Sequence, residues 1–413
     1  MSREAEVLWT AERLLRPGAS LVLALGAASA GVTAAADRAA RLVNSLGADD
    51  WELASRWARG LRAEGVLCRA LPADAPAATS LRQRWGQLAM VADFRQERLR
   101  ESLTEALRAL NAAGIPTLLF KGAALASFAY PGFPDRPMED VDVLVPPEDA
   151  ERAFDVLQRE MWTSSRKARD AGSHHHLPQL RHRQTGAILE LHRSLLPSGH
   201  PFRWDDGASW GSAERVVQGG VETRRLSLEE LLLHGALHFA WSHELRVGAW
   251  GWMRDLAVLR RLVDGDVVWR MAEERGAEAA LWWALRVGGL LAGEDQEADG
   301  VARPARGRVK RGWCTAPLER HLVMDAVPGS ETPGSELIRR RLRELALRPP
   351  AARDRGDQAD SGAVATVSRE AGHGAQVPEA GRARISAAAL LRAVLREAGR
   401  AGSWMRWVRR LVG

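Results

Sequence analysis

Between residues 140 and 145 the chain reads Asp-Val-Asp-Val-Leu-Val. This alternation has the period of a β-strand. Neighbouring side chains leave opposite faces, so Val141, Val143 and Val145 enter a core while Asp140 and Asp142 share the other face. Two carboxylates on one face repel each other unless something positive stands between them. Mg²⁺ is the usual answer, because it favours carboxylate oxygens together with substrate phosphates. A solvated acidic edge strand shows the same pattern, so the Asp-x-Asp spacing by itself leaves both readings open.

Two neighbouring segments weigh against the solvated edge. Upstream, Thr117-Leu118-Leu119-Phe120 reads as a strand that runs directly into Lys121-Gly122-Ala123-Ala124, the opening of a short helix. Glycine lets backbone approach a ligand closely, and the N–H groups of a helix start bind phosphate. Composition matters at this point: Lys121, Lys167 and Lys310 are the only lysines among 58 basic residues, so a lysine in this turn is a rare choice. An incidental turn lysine is the alternative. Downstream, Ala187-Ile188-Leu189-Glu190-Leu191-His192 reads as a third strand, with Glu190 and His192 on one face and Leu189 and Leu191 on the other. A third carboxylate on an adjacent strand would complete a site for two divalent ions, as in phosphoryl-type transfer. A half-exposed strand with ordinary polar residues would look the same.

The rest of the chain divides by composition. Residues 1–113 read as helical, most clearly where Leu99, Leu103, Ala106, Leu107 and Leu110 form one stripe. That helix should stop at Gly114, with Pro116 just beyond. The segment Leu21 to Ala36 reads as a buried helix, being too short and too rich in Gly and Ala to span a bilayer. Residues 114–226 hold the strands, and 227–293 return to helical spacing. Little periodicity remains in 294–385, and 386–413 read as a terminal helix. The expectation is an α+β fold, a small mixed-sheet core flanked by N-terminal and C-terminal helical regions.

The string LLFKGAALASFAYPGFPDRPMEDVDVLVPPEDAERAFDVLQ resembles the DNA polymerase beta-like nucleotidyltransferase superfamily. Within it, the sequence is most similar to the bacterial uncharacterised nucleotidyltransferase family, which has KGAAL, an arginine-containing loop and an Asp-x-Asp strand. The downstream LELHRSL resembles that family's third-carboxylate strand. The likeness covers roughly residues 20–292. It implies that Asp140, Asp142 and Glu190 are catalytic and hold the metal, and that Gly122 is the phosphate-binding turn; Lys121, Ala123 and Arg136 join Gly122 as the expected nucleotide-binding residues. Arg136 precedes the Asp-x-Asp strand and has the fork geometry that suits phosphate. One departure from the wider superfamily is that Ala123 and Ala124 stand where serine or a second glycine is usual.

The implied activity is Mg²⁺-dependent transfer of a nucleotidyl group from a nucleoside triphosphate, ATP among them, with Mn²⁺ as a substitute ion. The acceptor is left open among a small molecule, a peptide, an RNA end and a protein. An antibiotic-modifying or toxin-type transferase shares this chemistry, and a non-catalytic nucleotide-binding regulator with the same fold is the rival. Two cysteines, Cys68 and Cys314, are too few for a disulfide scaffold or a cysteine zinc site. The net charge of +6 rests on arginine throughout and reads as a solvated surface rather than a nucleic-acid face. No stretch reaches membrane-spanning length, so the default compartment is the cytoplasm. Among the histidines, His176, His192 and His234 are candidates to line the cleft. Consecutive His174, His175 and His176 cannot all face one ion from a strand or a helix. Asp255 is expected either to anchor the C-terminal helices onto the core or to sit as a solvated helix acid.

Overall fold

The run that begins at Leu21 carries too little polar surface to face water on any side. In the computed structural model of the protein it forms helix α1 (Pro17–Ser29), buried from Gly18 to Ala27. The structure describes residues 17–72, 76–172, 174–245 and 250–292; the expected segments 294–385 and 386–413 lie outside the described residues. The helix read over 21–36 is divided: α1 ends at Ser29 and α2 (Thr33–Val43) follows after a short turn. Helices α3 (Ala48–Gly60) and α4 (Glu64–Ala70) then pack against α1.

Helix α5 (Pro76–Ala112) runs for 37 residues, roughly 55 Å at the usual rise. Its last turns bury the stripe Leu99, Leu103, Ala106, Leu107 and Leu110. The end is where the glycine and proline place it. Gly114 takes φ +68°, the Gly114 N–H donates to Asn111 O at 2.9 Å, and the Ile115 N–H donates to Leu110 O at 2.9 Å. This closure satisfies the last carbonyls, and Ile115 is buried behind it.

The chain then lays down one mixed sheet. In chain order come β1 (Leu118–Leu119), helix α6 (Lys121–Leu125), β2 (Asp140–Leu144) and helix α7 (Ala150–Arg159). Next are β3 (Trp162–Thr163), β4 (Leu180–His182), β5 (Ile188–His192), helix α8 (Asp206–Ser212), β6 (Glu214–Gln218) and β7 (Val221–Arg225). The spatial order is β3-β4-β5-β2-β1-β7-β6. β2 runs parallel to β5 and antiparallel to β1, and β1 runs parallel to β7. The hairpin β6–β7 turns through Gly219 and Gly220, both at positive φ, which suits the twist of a two-residue turn. Helices α9 (Leu228–Leu237), α10 (Trp250–Leu259), α11 (Gly265–Arg275) and α12 (Glu278–Ala292) complete the described chain. One apolar core runs from α1 through the sheet to α12. The architecture is the α+β arrangement expected. Among the described residues no helix is long and apolar enough to cross a membrane.

A buried ion pair ties the loop before β2 to helix α10. Arg136 donates from Nε and Nη2 to the two oxygens of Asp255, both at 2.7 Å, and from Nη1 to Pro137 O at 2.8 Å. Tyr130 Oη donates to the same carboxylate at 2.7 Å. The guanidinium is sandwiched between two glycines: a Cβ on Gly251 would lie 3.1 Å from Arg136 Nη1, and one on Gly122 would lie 3.5 Å from its Cζ. On the neighbouring residue, Arg254 donates to Asp135 O at 2.8 Å and to Ser29 Oγ at 3.1 Å. Asp255 thus has the anchoring role, with Arg136 as its partner.

Removing one member of such a pair strands a buried charge. Asp255→Ala should therefore cost about 3–5 kcal/mol of unfolding free energy, read as a lower midpoint in urea. Wild-type stability in that variant would mean that the clamp does not hold the loop.

Candidate active site

Parallel pairing of β2 with β5 aligns Asp142 with Glu190 and Leu144 with His192. Cross-strand partners leave a sheet on the same side, so Asp142, Glu190 and His192 converge there, while Val141, Val143, Leu189 and Leu191 are buried on the other. One ligand atom from each of Asp142, Glu190 and His192 lies within 4.8 Å of the other two. His192 Nε2 donates to Asp142 Oδ1 at 2.8 Å and stands 3.6 Å from Glu190 Oε2. Gln179 Nε2 donates to Glu190 Oε1 at 2.7 Å.

Lys121 reaches into this group from the end of β1. Its Nζ donates to the same Asp142 Oδ1 at 2.7 Å. The backbone at Lys121 has φ +52°, a left-handed conformation that costs a non-glycine residue about 1 kcal/mol or more. The strained turn aims the ammonium back over the sheet. Phe120, next to it, is buried edge-on to His192 and His234, with ring centroids 5.0 and 5.4 Å away.

Charge is distributed unevenly among the carboxyls. Burial would raise Asp142, but Lys121 and His192 outweigh it and hold the group well below the usual carboxylate range. Burial, reinforced by Asp142 and Glu190, pushes Asp140 up to about 7. Glu190 is lowered despite its burial, through His192 and Gln179. The Lys121 ammonium, opposed by burial and favoured by Asp142, is held above its ordinary value.

Over residues 47–293 the sequence matches the profile of a family described as "Uncharacterised nucleotidyltransferase". The chain belongs to that family. A crystal structure of an antigenic nucleotidyltransferase-like protein from Paracoccidioides brasiliensis is similar in part. It shares 16% identity over 48% of this chain and 94% of that one, with a TM-score of 0.34. No curated protein sequence matches significantly.

In this member of the nucleotidyltransferase family, the residues singled out from the sequence do not all meet. Asp142, Glu190 and Lys121 come together, and Asp140 stands half-buried one pleat earlier on the same strand. Gly122 and Ala123 are buried, so the Ala123 side chain belongs to the core. A Cβ on Gly122 would fall 2.4 Å from Met138 Sδ, so a side chain there would have to displace the methionine's thioether. The backbone of Met138 is held by Gln96, which bonds both its N–H and its carbonyl. Arg136, expected on the nucleotide, instead spends its guanidinium on Asp255 and Pro137. Gln179 is the residue that sequence reasoning left without a role, and His192, expected only as a candidate to line the cleft, bonds Asp142. For His192 the signal was present, since the alternation that selects Glu190 selects it too.

His234 lies behind this group, buried, with Nε2 donating to Leu195 O at 3.2 Å. Burial, with Lys121 adding to it, lowers its imidazole to about 3. The unfolded chain takes up that proton near 6.5. Between those values the unfolded state holds more protons, so stability rises with pH through the window and levels off above it. Each such group contributes a slope of about 1.4 kcal/mol per pH unit. Urea unfolding at pH 5 should give a lower stability than at pH 7.5, and His234→Asn should narrow the gap. An identical gap in the variant would assign the acid sensitivity to other groups.

Proposed function

We propose that the protein catalyses Mg²⁺-dependent transfer of a nucleotidyl group from a nucleoside triphosphate to an acceptor oxygen, releasing pyrophosphate. One observation carries this reading. In a member of a nucleotidyltransferase family, the register of β2 on β5 sets Asp142 beside Glu190, with Lys121 bound among them. The donor set fits a hard divalent ion: Asp140, Asp142 and Glu190 supply carboxylate oxygens on one sheet face. His192 supports the fit, since its Nε2 orients the carboxylates while its buried Nδ1 has no hydrogen-bond partner among the described residues.

Bound there, Mg²⁺ or Mn²⁺ supplies charge that offsets the triphosphate and polarises its α-phosphorus. The protein's own groups divide the remaining work. Asp142 and Glu190, both held ionised, hold the ion together with Asp140. Asp140, raised by burial and by its fellow carboxylates while no ion is bound, would lose its proton more readily with a cation among them, so ion binding and ionisation of Asp140 go together. Glu190, held ionised by His192 and Gln179, is the carboxylate placed to help take the acceptor hydroxyl's proton. The acceptor oxygen bonds to the α-phosphorus, the bridging bond to the β-phosphate breaks, and its electron pair leaves with pyrophosphate. Lys121 is the compact cation on hand for the phosphates. Arg136 acts indirectly, by fixing the turn at Gly122 and the entry to β2.

The test is direct. Purified protein is incubated with each triphosphate labelled at the α- or γ-phosphate, with Mg²⁺ and candidate acceptors. Label should pass to acceptor from the α position only, and pyrophosphate should appear in equal amount. Asp142→Asn and Glu190→Gln should each lose transfer by about 10² or more, with circular dichroism showing that each variant is folded. Full turnover in either variant would sink the assignment, and bound triphosphate without turnover would leave a nucleotide-binding regulator.

Lys121→Ala should weaken triphosphate binding and slow transfer, and Lys121→Arg should restore only part, since a planar fork cannot replace a compact ammonium in a tight turn. Unchanged binding in the alanine variant would return Lys121 to a purely structural role.

A further inference from the structure

Residues 174–176 read His-His-His, and in a strand or helix three successive side chains point apart. Here they stand on a bend before β4, and the rings gather on one side. Ring centroids lie 4.8 Å apart for His175 and His176, 5.5 Å for His174 and His176, and 6.3 Å for His174 and His175. One ring nitrogen from each lies within 4.8 Å of the other two. We propose that His174, His175 and His176 bind one divalent transition-metal ion of the zinc, cobalt or nickel class, at a site separate from the carboxylate centre.

Donor chemistry separates the two sites. Imidazole nitrogens suit zinc, cobalt and nickel, whereas carboxylate oxygens suit magnesium. Nitrogens 2.0–2.1 Å from a tetrahedral zinc stand about 3.3 Å apart, so the rings need only rotate inward to close on an ion.

The bend is built rather than loose. Arg193 fastens it at successive points: its N–H donates to His175 O at 2.9 Å, its Nε to His174 O at 2.7 Å, and its Nη2 to Gly172 O. The Leu177 N–H donates to Leu191 O at 2.8 Å, and His176 bridges His192 across the strands.

The ring nitrogens are also prepared. His176 Nδ1 lies 2.9 Å from Leu177 O. A carbonyl only accepts, so Nδ1 carries the proton, the kind of outer contact that orients metal-bound histidines. His175 Nδ1 is buried without a hydrogen-bond partner among the described residues, an orphan that a metal would satisfy. His174 is exposed and gives an ion its way in.

The location gives the site a use. The rings of His175 and His176 lie 5.3 and 5.4 Å from that of His192, which holds Asp142. Three imidazoles leave a fourth position open for an oxygen ligand. A cation here faces the same side of the sheet as the carboxylates, and its binding does not depend on the transfer reaction.

The test uses the full chain with a purification tag free of histidine, stripped with chelator and titrated with Co²⁺ by visible absorption, then with competing Zn²⁺. One ion per chain should bind with the ligand-field bands of nitrogen coordination. His174→Ala, at an exposed position, and His176→Gln should each weaken binding at least about tenfold. Asp142→Asn combined with Glu190→Gln should leave it unchanged. Wild-type Co²⁺ affinity in both histidine variants would overturn the proposal, as would loss of the nitrogen bands only in the carboxylate variant. Circular dichroism of each variant keeps misfolding from being read as lost ligation. Because no step reads transfer activity, failure here is distinguishable from failure of the transferase reading.

Discussion

The ion pair between Arg136 and Asp255 is the contact on which the site's geometry hangs. It is buried, bidentate and shared with Tyr130, so each oxygen of Asp255 is occupied and the guanidinium has little freedom. Burying opposite charges costs much of what their attraction returns, so such a pair is poor evidence for stability alone. What it provides here is position. Arg136 lies against Gly122 on one side and Gly251 on the other, so the lysine turn, the loop into β2 and helix α10 share one fixed point. Gln96 holds Met138 in the same loop from the long helix α5, and Arg254 connects Asp135 to α1. The helices on either side of the sheet in sequence therefore act on the same few residues.

Within that frame the site has a consistent electrostatic logic. Asp142 is surrounded by donors, with Lys121 and His192 on a single oxygen, whereas Asp140 has like charges for neighbours and a raised proton affinity. Two residues of one strand, two positions apart, thus arrive at opposite protonation behaviour. The difference comes from the donors: Lys121 and His192 both bond Asp142, whereas burial and the neighbouring carboxylates act on Asp140.

Much of the fold could be read from local pattern. The strands over 118–119, 140–144 and 188–192 fall within a residue or two of where alternation put them, and helix α5 stops at the glycine that its stripe pointed to. Shorter elements escaped. β3 and β4 have two and three residues, too few to show a period. The β6–β7 hairpin carried a legible mark in Gly219-Gly220, but its exposed alternating residues do not form an apolar run. The three adjacent histidines lie at a bend, where the alternation of strands and the spacing of helices do not dictate where successive rings point.

The sequence by itself determined which side chains share a face: Asp140 with Asp142, and Glu190 with His192. That is a property of the extended backbone and needs no knowledge of neighbours. Only the tertiary structure decided which faces meet. Asp142 finds His192 fifty residues away, and Arg136 finds Asp255 at a separation of 119. Alternation repeats at every register, so it cannot choose one. Register is chosen by the packing of the buried valines and leucines and by the loops that return the chain. For the same reason the rare lysine and the arginine could be recognised as unusual but not assigned partners. Lys121 went to Asp142 because a strained turn aims it there, and Arg136 went to Asp255 because that buried carboxylate on α10 accepts from both ends of its fork.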